Sequence, residues 1–250
     1  MNLFQPRTYR SQFNAKRFSG FEISYLETDL WIGVDPSSFR AEMKTLAQEK
    51  IKKLRAKFDD YIKTEPEFKK SLKPFHPNKN APIEAIEMAR AAEKAGIGPM
   101  AAVAGLFARE VGEDVVRNFP LEEMVVENGG DIYVLLKHEM VFSVFAGESI
   151  LSERIGLVIP PDKNKLGICT SAGTVGPSLS FGKADALVVV CEDVLLADAF
   201  ATAFGNKVKK PADVEKVIRQ AENYPEILSM LIICEDKIGI RGENEIRILK

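Results

Sequence analysis

The chain lacks the raw material for several kinds of protein. Cysteine occurs three times in 250 residues, at Cys169, Cys191 and Cys234, with no C-x-x-C pair and no histidine at ligand spacing, which argues against a disulfide framework and a zinc site. A reducing, cytoplasmic setting is expected. Histidine is scarcer still: His76 and His138 are the only two, both in polar surroundings, so a histidine triad or metal cluster has little to build on. An excess of one charge is also missing, because 34 Lys and Arg stand against 36 Asp and Glu for a formal charge of -2, and no field arises that would gather nucleic acid or an acidic membrane. The longest strongly apolar run, residues 186–191, is far too short to cross a bilayer. Residues 1–20 are broken by Gln, Pro, Arg and Asn, and neither an export signal nor a lipid anchor is expected. Neither nucleic acid nor membrane is expected as a partner.

What remains is an ordinary globular composition, 46% hydrophobic over 250 residues, sufficient for a core without staples. Aromatic and β-branched residues alternating with polar ones predict a hairpin from strands 21–26 and 30–34 around Glu27-Thr28-Asp29. Apolar residues at spacings of three or four, Phe39, Met43, Leu46, Ala47, Ile51, Leu54, Phe58 and Ile62, predict an amphipathic helix over 39–62. Residues 64–82, with four prolines and little periodicity, read as an exposed connector. Helices follow at 83–95 and 100–119, the second rich in Ala and Gly and begun by Pro99 at its first turn. Strands are predicted at 123–127, 131–136, 141–146, 155–159, 165–169 and 186–191, then helices at 194–204 and 212–223, then strands at 229–234, 238–241 and 245–249. Short turns between strands favour an α+β fold, a mainly antiparallel sheet covered by helices on one face. No repeat or linker divides the chain, so residues 1–250 read as one domain.

Four stretches bear on chemistry. Gly96-x-Gly98-x-x-Ala101 matches the dinucleotide fingerprint only superficially, since a helix rather than a strand runs into it. Glu127-Asn128-Gly129-Gly130-Asp131 is on one reading a hairpin tip; on the other, its glycines leave backbone N–H groups open to a ligand, with Asn128 adding an amide and Asp131 an acceptor. Cys169-Thr170-Ser171-Ala172-Gly173-Thr174 is either a polar loop or a wall of hydroxyl donors for a phosphate or heterocycle. Finally, Asp198 lies past the first turn of the helix that Asp193 caps, among small and apolar neighbours, where a carboxylate needs a partner. Thr202 shares its face one turn on. Two hard oxygens suit Mg²⁺; pairing of Asp198 with an Arg or Lys elsewhere is the other reading.

Three pieces then stand in one order: Asn128-Gly129-Gly130-Asp131-Ile132, Thr170-Ser171-Ala172-Gly173, and Ala197-Asp198-Ala199-Phe200-Ala201-Thr202-Ala203. The order resembles the ApbE-like superfamily, with its N-x-G-G-D-I loop, T-S-G segment and A-D-A-x-x-T-A helix. Pro6-Arg7-Thr8-Tyr9-Arg10, Gly98-Pro99-Met100-Ala101-Ala102-Val103-Ala104-Gly105 and Glu127-Asn128-Gly129-Gly130-Asp131 are similar to signatures of the ApbE-related family of archaea and anaerobic bacteria. The resemblance implies a T-fold-like α+β architecture, FAD or FMN bound between sheet and helices, Mg²⁺ near a pyrophosphate, and transfer of FMN to a threonine. It implies Asp198 and Thr202 as metal ligands and catalytic residues. Asn128, Gly129, Gly130 and Asp131 would be the cofactor loop, with Thr170 and Ser171 as a second wall joined by Gly173 and Thr174. The superfamily's H-x-x-D-P-x-T-G motif is missing, as residues 174–191 contain no His; Asp185 is a candidate to replace its carboxylate, a surface turn being the other reading. Two further readings stand: sulfur or redox chemistry at Cys169, and a non-catalytic assembly subunit. The long helix over 39–62 and the small-residue helix after Pro99 motivate the second of these, and a homo-oligomer is expected.

Overall fold

A computed structural model describes residues 16–161, 165–173 and 181–249; the Pro6–Arg10 signature and Thr174 lie outside them. Strands β1 (Ser19–Tyr25) and β2 (Thr28–Val34) form the expected hairpin. Tyr25 pairs with Thr28, so the turn is Leu26-Glu27 rather than Glu27-Thr28-Asp29, and Leu26 takes a positive φ of 53° to close it. Helix α1 (Glu42–Thr64) buries Met43, Ala47, Ile51, Leu54, Phe58 and Tyr61, the stripe that its spacing dictates. The connector is not simply exposed. Within it a single turn, α2 (Glu67–Lys70), buries Phe68 completely, and Phe58, Tyr61 and Phe75 pack around that ring. Helix α3 (Ile83–Ala95) leads through a 3-10 turn, Pro99–Ala102, into α4 (Val103–Asn118).

The remaining elements are β3 (Met124–Asn128), β4 (Asp131–Leu135), β5 (Met140–Ser143), β6 (Ile155–Ile159), β7 (Leu166–Ser171) and β8 (Ala186–Cys191), then α5 (Val194–Gly205) and α6 (Val214–Ala221), then β9 (Ser229–Cys234), β10 (Lys237–Gly242) and β11 (Ile246–Ile248). Eight strands join in the order β1-β2-β3-β4-β7-β8-β9-β10, every neighbouring pair antiparallel. A second sheet, β11-β6-β5, stands apart.

Helices cover one face of the large sheet, as expected, and the small sheet covers the other. Met124, Val126, Tyr133, Leu187, Val189 and Ile232 belong to the core shared with the helices. Their strand neighbours Val125, Ile132, Val134, Val188, Val190 and Leu231 pack with Leu157 and Ile159 of the small sheet. Burial on both faces explains why β8, Ala-Leu-Val-Val-Val-Cys, is apolar without alternation and buried throughout. Helix α5 lies over β7 and β8 and against α3 and α4, which brings its acidic residue into the helical layer.

Two buried carboxylates tie the first hairpin's exit to the central strands. Asp35 accepts from Glu122 and Glu123 N–H at 2.9 and 3.2 Å and from the Ser37 hydroxyl at 2.7 Å. Glu123 accepts a bidentate pair from Arg17 at 3.1 and 2.7 Å and the N–H groups of Lys137 and His138, both at 2.8 Å. Burial pushes both pKa values upward, but these donors outweigh it and hold each at about 2. The folded values lie below the unfolded ones, so the stabilisation is complete above about pH 5 and is lost as pH falls toward 2. Urea unfolding across that range should therefore show a steep acid limb in the wild type. Glu123→Gln should cost about 2 kcal/mol at neutral pH and flatten that limb.

Candidate functional site

The turn between β3 and β4 has Asn128 paired with Asp131, leaving Gly129 and Gly130 as a two-residue loop with φ of 69° and 103°. Both angles are positive, the requirement that glycine meets without strain. The loop is more engaged than its sequence suggests. Gly130 N–H donates to Glu127 Oε1 at 3.0 Å, and Gly130 O accepts from Thr170 N at 3.1 Å, so this glycine's amide is not the open donor expected from the motif. Gly129 is exposed and offers a flat, side-chain-free surface. Glu127, fully buried, was not a candidate on sequence grounds. Its signal was the carboxylate placed immediately before an Asn-Gly-Gly turn, where it can accept the turn's own N–H.

Strand alternation divides the second wall. Cys169 belongs to the core facing the helices, whereas Ile168 belongs to the core facing the small sheet. With β7 running to Ser171, Thr170 must share the face of Ile168 and Ser171 that of Cys169. Ser171 therefore lies on the side of Asp131 and Asp198, beside Gly205 of α5, while Thr170 lies behind the sheet with its hydroxyl buried and without a hydrogen-bond partner. Gly173 donates its N–H to Ala184 O at 2.8 Å and packs against the backbone of Gly182. Asp185 accepts from Glu235 N–H at 2.6 Å, which makes it a turn anchor.

Asp198 is 7% exposed, and its partner is neither Arg nor Lys. Its Oδ2 accepts from Gly105 N–H at 2.8 Å, and the neighbouring Ala104 N–H also favours the charged form of the carboxylate. Gly105 and Ala104 are in the first turn of α4, whose N-cap residue Ala102 supplies no capping side chain. Asp198 thus caps α4 from a different helix, satisfying orphan amides and meeting the positive end of the helix dipole. Asn128 joins from the hairpin side, its Nδ2 donating to Ala104 O at 3.0 Å. Burial raises the Asp198 pKa, and the two amides lower it only in part, leaving it at about 7. Among the described residues no cation pairs with this carboxylate, and no three His, Cys, Asp or Glu side chains converge as a metal cage. The oxygens on offer are those of Asp198 and, one turn along the same face, Thr202, which is half-buried. That donor set fits an ion that takes its remaining ligands from water or phosphate, the habit of Mg²⁺.

Cys169 is fully buried and donates its thiol to Val194 O at 3.7 Å. Burial first, then the adjacent charges of Asp131 and Asp198, push its pKa well above the ordinary value, the opposite of what a reactive thiolate needs. The redox reading therefore has no support in the geometry.

The crossing of α4 and α5 depends on Gly105, where an added Cβ would meet Val194 O at 2.8 Å and Asp198 Cβ at 3.1 Å. Gly105→Ala should destabilise by about 2 kcal/mol, measured by denaturant unfolding. The raised Asp198 pKa has its own signature: the unfolded carboxyl loses its proton before the folded one, so its contribution falls as pH rises from about 4 to about 7. Asp198→Asn should remove that slope, and native Cys169 should resist alkylation until the protein unfolds.

Comparison with known proteins places this geometry. A family model described as AbpE bacteria matches residues 10–226. A UPF0280 protein of Methanosarcina barkeri is 41% identical over 198 residues, covering 79% of this chain and 78% of that protein. Among solved structures, the ApbE protein of Thermotoga maritima superposes with a TM-score of 0.58 at 15% identity, covering 90% of this chain and 97% of that one. The apo flavinyl transferase ApbE of Pseudomonas stutzeri superposes with a TM-score of 0.52 at 12% identity, covering 96% of each. At such identities the structures establish a shared α+β fold, and the sequence matches establish the kinship: this chain belongs to the AbpE bacteria family, among the UPF0280 proteins.

Proposed function

We propose that the chain binds a flavin nucleotide, FAD or FMN, beside the β3–β4 turn and the N-terminal end of α4, together with Mg²⁺ at Asp198 and Thr202, and that it supports phosphoryl transfer from the bound nucleotide. The observation that carries the reading is the buried Asp198 carboxylate, held by two neutral amides and by no cation among the described residues. A carboxylate in that setting gains from an ion it can neutralise. The fold shared with a flavinyl transferase adds the class of ligand.

In this reading Asp198 holds the ion and Thr202 offers a second oxygen on the same helical face. Gly129 lets a planar ring approach the turn, and Asn128, Gly130 and Asp131 shape that turn. Ser171 and Gly173 form the facing wall, and Thr170 contributes through its backbone hold on Gly130. Mg²⁺ held there would neutralise charge on the pyrophosphate of FAD, where an acceptor hydroxyl would bond to the flavin-side phosphorus as the P–O–P bridge breaks and AMP departs with the hydroxyl's proton.

Titration of FAD and of FMN by fluorescence, with and without Mg²⁺, tests the reading. Saturable binding strengthened by Mg²⁺ is expected, together with loss of the Mg²⁺ dependence in Asp198→Asn and weaker binding in Thr202→Val. Absence of saturable binding to either nucleotide would remove the reading.

A further inference from the structure

One peptide unit of α4 is gripped at both ends. The carbonyl of Ala104 accepts from Asn128 Nδ2 at 3.0 Å, and the N–H on the other side of the same peptide bond, that of Gly105, donates to Asp198 Oδ2 at 2.8 Å. The contacts join positions 24 and 93 residues apart in sequence, so neither arises from local helix geometry. A carbonyl has two lone pairs and can serve the helix and a side chain at once. Its acceptance of a hydrogen bond polarises the amide and strengthens the N–H at the other end. The orientation of the Asn128 amide is settled by this contact, because only the NH₂ group can face a carbonyl.

We infer that Asn128 is a positioning residue for Asp198, acting through the Ala104–Gly105 peptide rather than by touching the cofactor with its amide NH₂. The inference deepens the reading of the same site and rests on it. The β3–β4 turn, α4 and α5 are thereby linked, and the carboxylate is fixed in rotamer before a ligand arrives. Outer partners that orient a metal ligand typically change metal affinity by about 10- to 100-fold when removed. No such role follows from the N-G-G motif alone, which predicts only a hairpin tip or a ligand-facing amide.

The test compares wild type, Asn128→Ala, Asn128→Asp, Asp198→Asn and the double variant Asn128→Ala with Asp198→Asn, using FAD titrations with and without Mg²⁺ and amide exchange at Gly105 in the protein without ligand. Asn128→Ala is expected to weaken Mg²⁺-dependent FAD binding by about tenfold or more and to raise Gly105 exchange several-fold. Asn128→Asp, which keeps the volume but loses the donor, is expected to be at least as harmful. In the Asp198→Asn background the alanine change should add little. Equal weakening with and without Mg²⁺, additive with Asp198→Asn, would mean direct cofactor contact and overturn the inference, and a harmless Asn128→Asp would reduce Asn128 to a space-filler. If wild type binds no FAD, the functional reading falls by itself. Gly105 exchange then decides the clamp, and unchanged protection in Asn128→Ala overturns it.

Discussion

Asp198 is the point at which three parts of the molecule become one. A helix start that lacks a capping side chain and a buried carboxylate that lacks a counter-charge are each unfavourable alone. Here each is the other's remedy: the first-turn amides of α4 meet the carboxylate of α5. The contact requires the helices to approach closely, and the glycine at position 105 is what permits it. Fixing α4 against α5 in turn fixes the β3–β4 turn, because Asn128 reaches the same first turn of α4.

The sheet beneath makes this arrangement rigid. Its central strands are buried on one face by helices and on the other by β5, β6 and β11, so none of them can shift without disturbing two cores. Residues aimed at the helices, Asp131, Cys169 and Ser171, share a platform with Asp198. Residues aimed the other way, Glu127 and Thr170, brace the turn from behind. The same burial that raises the Asp198 carboxyl also disarms Cys169, which removes the thiol as a reactive group.

Much of the fold was legible because periodicity is a physical signal. Helix α3 and strands β6, β8 and β9 occupy the spans that their apolar patterns predict, and the positive-φ glycines sit where Asn-Gly-Gly requires a tight turn. Four features were not legible. Phe68 lies in a proline-rich stretch with only Leu72, Phe75 and Ala81 as other apolar residues, too few and too interrupted by proline to mark which one is buried. The second sheet was hidden because a strand buried on both faces carries no alternation to say which layer covers it. The partner of Asp198 lies 93 residues away, and only paired deficits hint at it: a helix start reading Gly-Pro-Met-Ala-Ala with no capping side chain, and a mid-helix Asp with no local use. The division of Thr170 from Ser171 is likewise invisible until the strand is known to run through both.

In the proposed reading Asp198 serves two masters, an α-helix start and a divalent ion beside a flavin nucleotide. A crystal structure of the protein grown with FAD and Mn²⁺ as an anomalous stand-in for Mg²⁺ tests it most directly. The expected result is an anomalous peak within coordination distance of the Asp198 carboxylate, about 2.0–2.3 Å, with the Gly105 N–H bond intact and nucleotide phosphate completing the ion's ligands. A nucleotide bound with no ion at Asp198, or an ion held elsewhere while this carboxylate serves α4 alone, would contradict it.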